Sequence, residues 1–184
     1  MLGRTHIAIA LAATALIVKN PAQLPFSLTV AAASALLPDI DTPEGTLRRQ
    51  INKYTGVLTF PVLIVAGYFL FKYRYFSLIS LMLYLTYIVL AFIGSHRGFT
   101  HSLAGFIFFT LILFMSNKTI ILPAIIGYGT HLAADLLTPS GIPLLYPYNK
   151  SFKIPLVRTG SLLDISIGLT FSLMFVAVLF QKFI

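Results

Sequence analysis

The sequence predicts an all-α fold, a polytopic helical membrane protein with about seven hydrophobic helices, some of them short or partly inserted. Three observations predict it. Hydrophobic residues make up 58% of the 184 positions and charged ones only 10%, with a mean hydropathy of +0.91; a soluble domain carries roughly a quarter charged residues. The apolar residues fall into seven blocks, separated by polar or proline-bearing breaks. None of the blocks alternates as a membrane-barrel strand would. Residues 1–184 read as a single membrane-embedded domain, without a low-complexity tract or a clear boundary.

The first block, 5–18, follows Arg4 in the manner of a signal peptide. No small-x-small cleavage site comes after it and the run contains His6, so it is expected to remain as a first helix. Asn20, Pro21 and Pro25 punctuate the entry to the second block, 24–37, and Pro38 stops it. Proline lacks the N–H and disfavours helix in the residue before it. Blocks at 56–71, 75–94, 102–116 and 119–137 follow. The stretch TPSGIPLLYPY, 138–148, is too rich in proline and glycine for regular helix, and a last block spans 161–181. A full span needs about 20 apolar residues. Only the fourth and seventh blocks meet that comfortably; the first, second and fifth are expected to be tilted, partly inserted or buried against other helices.

Charge supplies a topology. Thirteen Lys+Arg against five Asp+Glu leave a net +8. In a chain this apolar the excess is expected to serve positive-inside orientation and anionic headgroups rather than nucleic acid. If all seven blocks cross, Arg4, Arg48, Arg49, Lys53, Arg97, Lys150, Lys153 and Arg158 share one side, against Lys19, Lys72, Arg74, Lys118 and Lys182 on the other. Eight against five places the first side in the cytoplasm.

The rare polar residues gather on that same side. All four histidines and all five acids lie there or at helix ends facing it. They are His6; Asp39, Asp41 and Glu44 in LLPDIDTPEG; His96 and His101 in SHRGFTHS; His131 and Asp135 in THLAADLL; and Asp164. Asp39 and Asp41 are i,i+2, so an extended loop points both to one side. His131 and Asp135 are i,i+4, on one helix face. Gly98 lets the loop between His96 and His101 fold back so that both face one ion. Ionisable groups within apolar segments are costly and are functional candidates by default. With no cysteine in the chain, a soft-metal site must use imidazole and carboxylate, a donor set that suits zinc, manganese or iron. Seven candidate ligands exceed one tetrahedral zinc, so a shared site of two or more divalent ions is expected. Glu44 and Asp164 are candidates for positioning a ligand histidine or capping a helix. Thr-His recurs three times, in THIAIA, THSLAG and THLAAD, each time followed by small residues that permit close helix approach.

The motifs RTH, LLPDIDTPEG, HRGFTHS and HLAADLLTPSG, followed by RTGSLLD, run in that order over nearly the whole chain. In them the chain resembles the LexA-regulated, membrane-bound metal-dependent hydrolases, which are distantly grouped with zinc-dependent phospholipase C. The resemblance implies a helical inner-membrane protein that uses zinc, with His6, Asp39, Asp41, His96, His101, His131 and Asp135 as ligands. Members of that family often carry glutamate where this chain has Asp164.

The expected activity is therefore metal-dependent hydrolysis of a phosphoester by a metal-activated water. Asp39 and Asp135 are the candidate catalytic carboxylates and Arg97 the group that stabilises charge in the transition state. Membrane lipids are the expected partners, with a phospholipid or another phosphoester as substrate and no specific nucleic acid. Two alternatives stand beside it: a non-enzymatic metal-binding transporter, sensor or regulator, and a di-iron membrane oxidase. A metalloprotease is disfavoured, since the chain has no HExxH.

Overall fold

The computed structural model describes residues 1–116, 118–148 and 150–183. Eight α-helices account for most of them: α1 (Gly3–Ile17), α2 (Leu24–Leu36), α3 (Thr46–Thr55), α4 (Thr59–Lys72), α5 (Leu78–Ile93), α6 (Leu103–Phe114), α7 (Ile121–Leu136) and α8 (Leu162–Phe183). Short 3-10 turns occupy Pro38–Asp41 and Phe99–His101. The described residues contain no strand, only a single antiparallel bridge between Ile142 and Phe152. The all-α architecture read from the sequence is the one observed.

The chain forms two compact units: Met1–Leu37 with Leu122–Ile142 and Ser151–Ile184, and Pro38–Ile121 with Pro143–Lys150. In the first unit α1 packs on α2 and on α8. Small side chains make this possible. Ala10 of α1 meets Ala31 and Ala35 of α2, all three fully buried. Apolar helices gain little hydrophobic drive from one another in lipid and instead associate through close backbone approach at small residues. Gly127 of α7 takes this furthest, since a Cβ there would lie 2.2 Å from the Ala31 carbonyl oxygen. Beyond α7 the chain doubles back. The N–H of Ile154 donates to Leu136 O at 2.7 Å and that of Val157 to Leu137 O at 2.9 Å, satisfying carbonyls that a helix end leaves open. Along α8, Leu162, Leu169, Leu173, Val176 and Phe180 are exposed, an apolar surface suited to lipid.

In the second unit α4 packs on α5 and α5 on α6. The Tyr84 hydroxyl donates to Leu63 O at 2.9 Å. Buried Tyr87 meets the rings of Phe99 and Phe109. Ser77 and Ser102 cap α5 and α6, accepting from the N–H groups of Ser80 and Gly105, each at 3.1 Å.

Three described helical stretches are long and apolar enough to cross a membrane: Thr46–Lys72, Lys118–Leu136 and Leu162–Phe183. The last matches expectation. The fourth block falls short of it, because the Ser77 cap and the extended Gly94 confine α5 to 16 residues. The third gains length from α3, which carries Arg48, Arg49 and Lys53 and so shows no apolar block in the sequence.

Gly127→Ala drives a Cβ into backbone. It is expected to cost about 1–3 kcal/mol and to lower the thermal midpoint in detergent. Equal midpoints for wild type and Gly127→Ala would refute the close α2–α7 contact.

Candidate metal centres

Within each unit the structure brings sequence-predicted ligands together.

The first group is His6, His131 and Asp135, whose candidate ligand atoms all lie within 4.8 Å of one another. All three are buried, at 1%, 0% and 2% exposure. The imidazoles of His6 and His131 stack, with centroids 3.9 Å apart and planes 17° from parallel. His131 Nδ1 lies 2.7 Å from Ala35 O. A carbonyl only accepts, so this nitrogen carries the proton and Nε2 is the one turned to Asp135 Oδ2, at 3.7 Å. His6 Nε2 lies 3.4 Å from Asp135 Oδ1, yet neither ring nitrogen of His6 makes a hydrogen bond. Buried donors and acceptors are rarely left so, and a cation among these three side chains would answer the orphaned imidazole. The Met1 amino group also reaches Asp135 Oδ1, at 2.5 Å.

Asp164 holds this group's scaffold. Its Oδ2 accepts from the N–H of Leu2 at 3.0 Å and of Gly160 at 2.8 Å. It ties the start of α1, which carries His6, to the turn before α8. Its side chain thus holds backbone at the start of α1 and before α8.

The second group is Asp39, Asp41, His96 and His101. Candidate ligand atoms of Asp41, His96 and His101 lie within 4.8 Å of one another. His101 stands between the two acids: Nε2 is 3.3 Å from Asp39 Oδ1 and Nδ1 is 3.4 Å from Asp41 Oδ2. The aspartates are therefore not side by side on an extended loop, as the i,i+2 spacing suggests. Pro38–Asp41 is a 3-10 turn, and the two carboxylates reach opposite nitrogens of one ring. Asp41 is heavily engaged. It accepts from Thr100 Oγ1 at 2.7 Å, the Arg97 N–H at 3.1 Å and His96 Nδ1 at 2.9 Å. Asp39 is the more accessible acid, its side chain 18% exposed against 1% for Asp41. His96 is about half exposed and sits 5.4 Å from the His101 ring.

Electrostatics match this geometry. Burial disfavours a charged His101, but hydrogen bonds and charge from Asp39 and Asp41 outweigh it and hold the imidazolium at about 9. Burial also pushes Asp41 up, and the hydrogen bonds of His101, His96 and Thr100 overcome it, holding the carboxyl well below its usual range. A ring flanked by two carboxylates calls for a positive charge, which a proton or a metal ion can provide.

Arg97 has a backbone φ of 60°, a left-handed conformation that costs a non-glycine residue about 1–2 kcal/mol and brings its N–H onto Asp41. Arg48 is a brace rather than a free surface cation. Its Nη1 donates to Ile40 O at 3.3 Å and Asp41 O at 3.2 Å, and its guanidinium stacks 4.1 Å over Phe92. Arg49 is exposed. Glu44 is exposed as well and accepts from the Thr42 hydroxyl, which holds its carboxyl below the ordinary value.

Sequence reasoning missed three contributors. Thr100 bonds Asp41 and lies 3.1 Å from His101 Nδ1, whereas the other two threonines of the Thr-His echo act elsewhere: Thr5 lies 3.4 Å from Asp164 O and Thr130 bonds Gly127 O. The echo was thus a signal for one site residue only. The Ala35 carbonyl and the Arg97 N–H belong to the backbone, and no side-chain motif announces them.

Fold and site together define a class: an all-α membrane protein with buried histidine–aspartate clusters of metal-ligating composition. Within it, the chain belongs to the YdjM inner membrane protein family, whose model matches residues 1–183, and an inner-membrane location agrees with the apolar helices. Inner membrane protein YdjM of Escherichia coli (strain K12) is 39% identical over 69 residues, which cover 34% of this chain and 35% of that protein. Uncharacterized protein YvsG of Bacillus subtilis (strain 168) is 37% identical over 76 residues, 40% of this chain and 48% of that one. The chain thus matches about a third to a half of the length of these curated relatives. No solved structure matches it.

The His101 environment sets a pH dependence. Its folded pKa of about 9 exceeds the reference 6.5, so protonated His101 stabilises the metal-free fold fully below about pH 6.5. That contribution, on the order of 3 kcal/mol, is lost as pH rises through about 9. Thermal midpoints of chelator-treated protein should fall across this window, and His101→Gln should flatten the slope. An identical slope in the variant would contradict the assignment.

Proposed function

We propose that this chain is a metal-dependent hydrolase of phosphoesters, with a divalent ion, zinc first, at each histidine–aspartate group. The observation that carries this reading is the gathering of histidines and aspartates into clusters, one of them fully buried, in a chain with only four histidines and five acids. His131 has its Nδ1 engaged by a backbone carbonyl and turns Nε2 to a carboxylate, as ligand imidazoles do when an outer partner sets their tautomer. His6, His131 and Asp135 would hold one ion. Asp41, His96 and His101, whose candidate ligand atoms lie within 4.8 Å of one another, would hold the other. Such ions supply Lewis acidity that favours hydrolysis near neutral pH.

The protein's own groups do the rest. Asp39, more accessible than Asp41 and within 3.3 Å of His101, is placed to take the proton of the attacking water. Asp41 has most of its lone pairs committed and keeps His96, Thr100 and the Arg97 backbone in register. Asp135 stays with its two histidines as a ligand. Arg97, beside this cluster, is the cation for negative charge growing on a phosphoryl oxygen. The excess of basic residues on the motif-bearing side supports a site that faces the cytoplasm.

The test is turnover by metal-reconstituted protein in detergent, against lipid and soluble phosphomonoesters and diesters. Arg97→Ala is expected to lower kcat about 10²–10³-fold and Asp39→Asn about 10²-fold or more, while Arg49→Ala leaves it unchanged. Full metal occupancy with no turnover of any phosphoester would overturn the hydrolase reading in favour of a non-enzymatic metal-binding protein, for which metal flux in proteoliposomes is the direct assay.

A further inference from the structure

Within the second unit lies a cavity of about 440 Å³, lined by Arg48, Asn52, Gly56, Val57, Thr59, Phe60 and Phe92. Its walls divide by chemistry. Arg48 and Asn52 stand on α3, the charged helix, and Phe60 on α4, the apolar one, with the Gly56–Leu58 turn between them. Arg48 is only partly satisfied: Nη1 is bound to two carbonyls, but Nε is buried and makes no hydrogen bond. Its guanidinium is held rigid over Phe92, and none of the lining residues is acidic. At the other end Val57 is 98% exposed and Leu58 58%, a cost in water that lipid removes.

We propose that this cavity binds the phosphate of an anionic amphiphile, with the phosphate on Arg48 and Asn52 and the hydrocarbon along Val57, Phe60 and Phe92. A guanidinium held in the cavity wall, with no carboxylate among the lining residues to neutralise it, matches phosphate oxygens. The adjoining apolar wall, where a charged helix passes into an apolar one, selects a ligand with a tail over free phosphate. Arg48 also bonds the carbonyl of Asp41, so a headgroup seated here lies one residue from the histidine–aspartate cluster. As a substrate-binding site, the cavity rests on the hydrolase reading and makes a phospholipid its substrate class; as a lipid site it stands alone.

The experiment measures binding of dioctanoyl phosphatidic acid and of inorganic phosphate to chelator-treated, detergent-purified protein, in which metal-dependent hydrolysis is disabled. Asn52→Asp keeps the side chain's shape and the oxygen that accepts from the Thr59 hydroxyl, so the variant should fold. It should weaken the lipid about five- to tenfold, and Arg48→Gln should weaken it about tenfold or more. Inorganic phosphate should compete poorly. Affinity indifferent to both substitutions would overturn the site, and phosphate binding as tightly as the lipid would overturn the amphiphile. Charge-dependent lipid binding without turnover in the native chain would remove the hydrolase reading and leave the lipid site. Turnover with lipid affinity indifferent to Asn52→Asp would do the reverse.

Discussion

A carboxylate or imidazole buried in so apolar a chain must find a compensating charge or hydrogen bond, and that constraint organises the rest of the structure. An isolated ion moved into a low-dielectric interior costs several kcal/mol even after relaxation. Asp135 is nine-tenths or more buried and faces two imidazoles and an amino group. Asp41 is met by a hydroxyl, a backbone N–H and an imidazole. Each acid is placed by groups from sequence-distant segments, so the polar clusters act as fixed points around which the apolar helices are arranged.

Packing is what lets those fixed points form. The alanines and the glycine of α1, α2 and α7 bring backbones close enough for Ala35 to reach His131 and for the His6 ring to stack on it. In the other unit a cluster of aromatic rings around Tyr87 and Phe99 steadies the turn that ends at His101. The left-handed backbone at Arg97 stores a little strain beside the same carboxylate, as is common where a site dictates local geometry.

Much of this was legible in the sequence. Helix content, the proline-rich connector and the seven ligand candidates follow from hydropathy, turn chemistry and the scarcity of polar residues. What escaped did so for identifiable reasons. The α3 helix carries Arg48, Arg49 and Lys53 and so has no apolar block to betray it. The i,i+2 spacing of Asp39 and Asp41 has opposite meanings in a strand-like loop and in a 3-10 turn, and nothing in LLPDID chooses between them. That Arg48 also braces the turn at 38–41 shows only in its distances to Ile40 O and Asp41 O. Ala35 O and the Arg97 N–H, which orient His131 and Asp41, carry no side-chain signature at all.

The central claim is that the two histidine–aspartate groups are cation sites, and metal stoichiometry tests it most directly. Zinc-reconstituted and dialysed protein, its metal counted by mass spectrometry, is predicted to retain tightly held ion, to lose part of it in His131→Ala and part in His101→Ala, and to lose most in the double variant. Protein that retains no metal, or retains the same amount in all four forms, would contradict the account.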